Sequence, residues 1–403
     1  MEISLKLPAL LLSLLTTTAA DAGISQCHPS KFTFPLLPGA AHIRTTAAVV
    51  RNYTGHAGWM PDAAVSVPPS GVAPFCNVTT SYTHPGYDFV VSVHVWLPLE
   101  RQAWNGRFLG VGGGGFVAGD VDGDFMAAGV MGGYAVAATD GGHWKGAPVK
   151  EWAVKSKGNL DWERFVEFAF RGVGEMGDVG GAVGGYGYIP GAPLVGLLGL
   201  MNVRCDDDGG CEGEPFEVAE DWIKYFVKKD PEFDVGNMTM EEFRDVFRQG
   251  VEEFTSAIGT SHDLRRFRER GGKMLMWHGM ADQTVMVLAA RAFYERAKKL
   301  EESRGVEVED YWRYFEVPGM NHCSPIYGGP YPWDAMERLQ KWVEEGVPPQ
   351  DLEARTVGEK DGRKVFGKEA RRVCMFPKEG VWDGSEWRCL LPGEKLDETR
   401  EEL

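Results

Sequence analysis

The chain has 403 residues, of which 43% are hydrophobic, and a formal net charge of −16. This composition supports a large buried core and excludes a chain that is disordered throughout, and the length favours two to three domains. The acidic charge excludes a nucleic-acid binder, which needs basic surfaces to meet phosphates, and it argues against adhesion to anionic membranes.

The first predicted element is a secretory signal peptide over residues 1–22. An apolar run at residues 7–15 follows Lys6, and residues 20–22 have the A-x-A pattern of a cleavage site. A buried N-terminal helix is the less favoured alternative. The run is too short to span a membrane and no other segment is a better candidate, so we expect a secreted, extracellular protein without a membrane anchor.

Two further patterns agree with export into an oxidising compartment. Glycosylation acceptor triplets begin at Asn52, Asn77 and Asn237. The cysteine count of seven is odd, so one cysteine is unpaired or bonded outside the chain. Spacing, which does not prove connectivity, suggests three pairs and one unpaired residue: Cys27–Cys76, Cys205–Cys211, Cys374–Cys389 and Cys323.

The first half of the chain is predicted to hold short strands between loops. In chain order we expect a loop-rich region at 27–84, strands at 89–97, 105–111 and 134–138, and a helix at 162–171. Eleven of the thirty residues from 171 to 200 are glycine. That content makes the stretch a poor helix and a poor strand.

The second half has stronger periodicity. The predicted elements are helices at 217–228 and 240–258, a strand at 273–279, a helix at 286–302, a strand at 311–317 and a helix at 334–345. Strands that alternate with helices predict right-handed crossovers and parallel pairing. The fold class is therefore α/β, with a mostly parallel sheet flanked by helices.

Two loops at the ends of predicted strands carry candidate catalytic residues. Asp282 follows one strand and His322 follows the next, and each alone would pass for an ordinary loop residue. Loops at the carboxyl ends of parallel strands meet at one edge of the sheet. An acid and then a histidine at successive strand ends is the α/β-hydrolase arrangement, in which a serine comes earlier in the chain. His322 would move the proton of the serine hydroxyl and Asp282 would orient the imidazole.

A glycine run at residues 112–115 follows the second predicted strand. The backbone N–H groups of Gly113 and Gly114 are candidates for an oxyanion site, and a flexible tight turn is an equally good interpretation. The run is not a dinucleotide fingerprint, because the helix and downstream acid expected of one are not evident.

Six segments resemble the tannase and feruloyl esterase family: 104–116 (WNGRFLGVGGGGF), 134–143, 168–173, 215–230, 278–283 (HGMADQ) and 318–323 (PGMNHC). The resemblance implies a secreted serine hydrolase of aromatic carboxylic esters, with small aromatic esters or feruloylated polysaccharides as substrates and no cofactor needed for catalysis. It implies an α/β-hydrolase core with a large lid, which in many members binds calcium. The family's acid and base fall on Asp282 and His322.

The sequence departs from the family where the nucleophile is expected. The family's serine lies in a Gly-Cys-Ser-x-Gly-Gly motif, whose cysteine bonds to the cysteine beside the catalytic histidine, here Cys323. No serine occurs between Ser156 and Ser256. The resemblance therefore implies that the nucleophile, the partner of Cys323 and most of the lid with its calcium site are missing. The acidic residues 206–208 favour a disulfide-closed surface turn over a metal site.

This interpretation divides the chain into a signal peptide at 1–22, an incomplete N-terminal core at 23–190, a lid remnant at 191–260, a C-terminal core at 261–390 and a charged tail at 391–403. Two hypotheses follow: an ester hydrolase whose sequence is incomplete, or a shortened non-catalytic protein that binds phenolic or glycan ligands. An enzyme with another nucleophile is less favoured. Loss of a central strand would open the sheet, so we expect poor stability.

Overall fold

The structure is a computed structural model that describes residues 27–32, 34, 37, 39–54, 71–121, 123–172, 176, 201–206, 210–258, 261–322, 329–360 and 363–396. The predicted signal peptide, most of the glycine-rich stretch and Cys323 lie outside the described residues. None of the described helices is long and apolar enough to cross a membrane.

The N-terminal part forms a five-stranded sheet. Its strands are β1 (Ala41–Val50), β2 (Phe75–Thr83), β3 (Val91–Pro98), β4 (Phe108–Gly110) and β5 (Ala135–Thr139), in the order β1-β2-β3-β5-β4. The helix α1 (Asp124–Met131) precedes β5 and packs against it. The three predicted strands are confirmed as β3, β4 and β5, with shifted ends.

Two expectations for this region were wrong. The range 27–84 does not hold only loops and short apolar segments, because β1 and β2 lie in it and pair along most of their length. The five-stranded sheet is not mostly parallel either, since only β4 and β5 run parallel within it. The threonine-rich and alanine-rich sequences of β1 and β2 give a weak apolar alternation, which conceals a partly exposed antiparallel pair.

The middle of the chain is mainly helical. After the short hairpin of β6 (Val154–Ser156) and β7 (Asn159–Leu160), the elements are α2 (Trp162–Val166), the hairpin β8 (Met201–Cys205) and β9 (Cys211–Pro215), α3 (Glu217–Asp221), α4 (Met240–Ile258) and α5 (Arg265–Glu269). Both α2 and α3 continue into π-helical turns, Glu167–Arg171 and Trp222–Val227. The predicted helices at 162–171 and 217–228 are thus confirmed with a change of helix type.

The helix predicted at 240–258 is confirmed in full as α4, and its cap and its buried face explain the agreement. Thr239 and Glu242 cap its first turn reciprocally: the Glu242 carboxylate accepts from the Thr239 N–H at 2.8 Å, and the Thr239 hydroxyl accepts from the Glu242 N–H at 3.2 Å. Val246, Gly250 and Phe254 recur every four residues and are buried. That spacing puts them on one face, which packs on the aromatic core of the middle region.

The C-terminal part contains the parallel pair that the sequence predicts. Its elements are β10 (Met274–Gly279), α6 (Val287–Glu302), β11 (Trp312–Val317), β12 (Pro330–Pro332), α7 (Ala335–Glu345), β13 (Asp351–Lys360), β14 (Arg363–Cys374), β15 (Glu379–Trp382) and β16 (Trp387–Leu390). β10 and β11 pair in parallel, with α6 as the connection between them. β12, β13 and β14 form an antiparallel sheet that the sequence did not predict.

Among the described strands, none pairs with both β4 and β10. The five-stranded sheet ends at β4, and β10 is the free edge of the parallel pair in this part of the chain. Helix α7 connects the two sheets: Glu344 accepts two hydrogen bonds from the Arg107 guanidinium, at 2.7 and 2.8 Å, and Met336 packs together with Leu109 of β4 against the buried Ala128 of α1. Loss of a strand between β4 and β10 and the expected poor stability both stay predictions.

The disulfide prediction is confirmed at two places. Cys27 bonds to Cys76, and Cys374 bonds to Cys389. The third predicted pair stays a prediction: residues 205 and 211 face each other in the β8–β9 register, but their side chains lie outside what the structure describes.

The three glycosylation candidates differ in exposure. Asn52 and Asn237 are exposed. Asn77 is half-buried within β2, a strand paired on both sides, and its Oδ1 atom is shielded from solvent. A glycan is therefore favoured at Asn52 and Asn237 over Asn77, and glycosylation itself stays a prediction.

Candidate active site

The two predicted catalytic loops meet at the carboxyl ends of β10 and β11. Gly279, the last residue of β10, lies opposite Val317, the last residue of β11. A Cβ atom at Gly279 would lie 2.4 Å from the carbonyl oxygen of Met320, so only glycine permits this approach of the two loops. The Ala281 N–H then donates to that same carbonyl at 3.0 Å. The backbone thus brings the segments of Asp282 and His322 together.

Asp282 and His322 form a hydrogen-bonded acid–imidazole pair. The Nδ1 atom of His322 lies 3.1 Å from Oδ2 and 3.2 Å from Oδ1 of Asp282. An ionised carboxylate can only accept, so Nδ1 carries the proton and Nε2 is the basic nitrogen of the ring. Asp282 is 4% exposed, whereas the His322 side chain is about one-fifth exposed. The arrangement matches the predicted roles of the two residues.

Four donors surround the Asp282 carboxylate. Besides His322, the backbone N–H groups of Thr284 and Val285 each donate to Oδ1 at 2.8 Å, and His278 Nε2 lies 3.4 Å from Oδ2. Burial by itself raises the pKa of Asp282, but the hydrogen bonds from His278, His322 and the two backbone groups outweigh it and hold the pKa well below its ordinary value. The carboxylate is therefore ionised across the physiological range.

Two residues that were not predicted as site residues complete the geometry. His278 Nε2 lies 2.7 Å from the Val285 carbonyl oxygen; because that oxygen can only accept, Nε2 carries the proton and also points towards Asp282. The Gln283 side-chain oxygen accepts from the His322 N–H at 3.1 Å and so fixes the second loop. The H-x-x-x-D spacing from 278 to 282 was the available sequence signal for His278.

An open hollow lies directly over this pair. It has a volume of about 140 Å³ and is lined by Trp277, His278, Gly279, Asp282, Val285, Met320 and His322. Its lining is mainly apolar apart from the acid and the two imidazoles. A hollow of this kind can hold a reacting group beside the basic nitrogen of His322.

The structure supports the two candidate oxyanion donors of the glycine loop, the N–H groups of Gly113 and Gly114, unequally. The Gly113 N–H donates to the Ala118 carbonyl within the loop at 3.0 Å, so it is occupied in this conformation. Gly114 is exposed, and a Cβ atom there would meet nothing within 4 Å. The oxyanion role of Gly114 stays a prediction, and that of Gly113 would require the loop to open.

A metal site is not evident in the described part of the chain. No group of three or more histidine, cysteine, aspartate or glutamate side chains is placed to hold a metal ion there. Residues 207–209 lie outside the described residues. The expected loss of the family's calcium site therefore stays a prediction.

We expect Asp282→Ala to lower the free energy of unfolding near pH 7 by about 1–3 kcal/mol, because buried donors lose their acceptor. The depressed pKa of Asp282 means that its stabilisation is present above the unfolded-state value of 3.8 and is lost as the pH falls through the lower folded-state value. The difference between variant and wild type should therefore shrink below pH 3.8. Urea unfolding across this range checks it, and a difference that stays constant contradicts it.

Curated relatives of the chain are fungal ester hydrolases by name. A protein described as "Probable feruloyl esterase" from Arthroderma benhamiae is 24% identical over 465 residues, covering 79% of this chain and 85% of the relative. "Feruloyl esterase C" from Talaromyces stipitatus is 28% identical over 199 residues, covering 44% of this chain but only 37% of that relative. The first alignment has more positions than this chain has residues, so it opens gaps in the sequence of this chain.

Solved structures match the fold along nearly the whole chain. "Tannin acyl hydrolase from Aspergillus niger" superposes with a TM-score of 0.66 at 18% identity, covering 92% of this chain and 94% of the other. Feruloyl esterase B from Aspergillus oryzae gives a TM-score of 0.61 at 17% identity, covering 91% and 100%. The family model described as "Tannase and feruloyl esterase" matches residues 76–187 and 215–390. The chain belongs to the tannase and feruloyl esterase family.

Proposed function

We propose that this protein is a secreted carboxylic ester hydrolase that acts on aromatic esters, with Asp282 and His322 as the acid and base of a Ser-Asp-His mechanism. The observation that carries the proposal is the 3.1 Å contact between His322 Nδ1 and the Asp282 carboxylate at the ends of two adjacent parallel strands. It leaves Nε2 as the base, directed by a buried and ionised acid.

The reaction follows from these positions. As a hydroxyl oxygen attacks the ester carbonyl carbon, its proton passes to His322 Nε2, and Asp282 stabilises the imidazolium. The tetrahedral intermediate collapses when the bond to the alcohol oxygen breaks, and that oxygen takes the proton from Nε2. Water then attacks the acyl group by the same route, which releases the carboxylic acid and restores the hydroxyl.

The hydroxyl nucleophile is the part that this sequence lacks. No serine lies between Ser156 and Ser256. The family match is interrupted between residues 187 and 215, which supports a missing segment there. We propose that the serine belongs between about residues 174 and 203, within a segment that the family carries and this sequence omits.

The substrate class rests on the relatives. Their names are those of feruloyl esterases and a tannin acyl hydrolase, so we propose small aromatic esters or feruloylated polysaccharides as substrates. Secretion is supported by the predicted signal peptide and by the Cys27–Cys76 and Cys374–Cys389 disulfides, which form in oxidising compartments.

Sequencing the transcript across codons 174–205 tests the proposal first. We expect an additional in-frame segment encoding Gly-Cys-Ser-x-Gly-Gly. Protein that carries this segment should hydrolyse methyl ferulate and react with a serine-directed phosphonate, and the 403-residue form should do neither.

Two results would contradict these expectations. Turnover with covalent labelling by the 403-residue form would show that it has a nucleophile. A segment-bearing protein that folds but hydrolyses no aromatic ester would reject the hydrolase function. A transcript that matches the present sequence, with an inert product, would instead support the non-catalytic alternative.

A further inference from the structure

A groove separate from the catalytic hollow crosses the C-terminal part of the molecule. It consists of a cavity of about 580 Å³ and a neighbouring one of about 250 Å³, which share Arg371, Arg372 and Trp387 in their walls. The larger cavity shares no lining residue with the hollow at Asp282 and His322. We call these two adjoining cavities the hairpin groove, because residues of the β15–β16 hairpin line both of them.

The wall of the hairpin groove is held in place by several contacts. The Cys374–Cys389 disulfide ties β16 to the end of β14. A Cβ atom at Gly380 would lie 2.6 Å from the Arg372 carbonyl oxygen, so glycine lets β15 approach the backbone of β14. The Arg372 side chain donates to the Trp387 carbonyl at 2.9 Å. These contacts make the groove a preformed feature.

Aromatic side chains line the groove at the hairpin. Trp382 is 50% exposed, and Trp387 lies beside it with ring centroids 5.6 Å apart. Phe376 also lines the larger cavity. The exposed indole face of Trp382 can stack on the C–H face of a pyranose ring, and the half-buried Trp387 beside it lines both cavities.

The charged side chains in the groove are of both signs. Arg291 is paired with Glu316 through two hydrogen bonds, and Arg372 lies 3.4 Å from Asp351. Arg371 lines both cavities and makes no ion pair or side-chain hydrogen bond with any residue that the structure describes.

The remaining charged residues of the larger cavity are Lys378, Glu295 and Glu379, all of them exposed. Together with Arg371 they make two bases and two acids, so their charges offset one another. Such a wall offers donors and acceptors without a net charge, which suits a ligand that is rich in hydroxyl groups and uncharged.

We propose that the hairpin groove binds a neutral oligosaccharide chain, with pyranose rings on Trp382 and Trp387 and hydroxyl groups hydrogen-bonded to Arg371. Two adjoining cavities fit several consecutive sugar rings rather than a single small molecule. The groove would hold a polysaccharide independently of any ester, so this inference does not depend on the catalytic pair.

Binding of xylohexaose and of soluble arabinoxylan tests the proposal, by calorimetry and by affinity electrophoresis on the full chain. We expect the protein to bind both glycans. Trp382→Ala should weaken binding by about tenfold, as for a central aromatic contact. Arg371→Gln should weaken it by about fivefold through loss of hydrogen bonds to hydroxyl groups. Trp144→Ala, which removes another highly exposed tryptophan, is the matched control and should leave binding unchanged.

Three outcomes would overturn the inference. The inference is rejected if the protein binds neither xylohexaose nor arabinoxylan. It is also rejected if Trp382→Ala and Arg371→Gln bind these glycans as tightly as the wild type does. Tighter binding of polygalacturonate than of xylohexaose would show that the groove selects anions. His322→Ala separates the two sites: it should abolish ester hydrolysis by a serine-containing form and leave glycan binding intact.

Discussion

In a form of the chain that carries the serine segment, His322→Ala is expected to lower kcat for methyl ferulate by roughly 10⁴- to 10⁶-fold. Asp282 holds the Nδ1 atom of His322 at 3.1 Å, which leaves Nε2 to take the hydroxyl proton. Asp282→Asn should cost about 10⁴-fold, because an amide side chain favours the wrong tautomer of His322. Steady-state kinetics with methyl ferulate measure both effects.

The matched control for this prediction is His42→Ala. His42 is an exposed imidazole of β1 that bonds to Thr45 in the same strand, so its loss should leave kcat unchanged. If His322→Ala kept activity comparable to the His42→Ala variant, His322 would not be the catalytic base.

Trp312→Ala is expected to lower the free energy of unfolding by about 3–5 kcal/mol, because a large side chain leaves a fully buried site. The Trp312 ring packs edge-on against Tyr294 at 4.9 Å between centroids and against Phe293 at 5.6 Å. These contacts join β11 to α6, the unit that carries His322 at its end. Urea unfolding monitored by circular dichroism measures the loss.

Two control variants should lose much less stability than Trp312→Ala. Trp312→Phe keeps most of the buried ring, and the indole N–H has no hydrogen-bond partner among the described residues, so this change should cost much less. Trp382→Ala removes a half-exposed tryptophan and should change stability by at most about 0.5 kcal/mol. Equal losses in all three variants would mean that β11 is not part of the stable core.

The catalytic pair could be predicted because its geometry follows from chain order alone. β10 and β11 have apolar sequences with a helix between them, which requires parallel pairing and places their following loops side by side. The residue types at the two strand ends then specify an acid and an imidazole. His278 was harder to assign, because a histidine at the end of a strand becomes informative only when its distance to Asp282 is known.

The antiparallel parts of the fold were hidden for a different reason. β1 has exposed or half-exposed residues along its whole length, and β14 carries many charged residues, so neither shows the apolar alternation that marks a strand. Their pairing is set by partners distant in sequence, such as β13 opposite β14. Local propensity does not encode such partners.

The division between β4 and β10 determines how cooperatively the molecule unfolds. Within the described residues the five-stranded sheet and the β10–β11 pair share no backbone hydrogen bonds. Helix α7 lies between them and contacts both. The Arg107–Glu344 pair at that junction is exposed and screened by water, so it couples the two sheets only weakly. We therefore expect the two sheets to unfold in separate transitions, and a strand inserted between them to merge these into one.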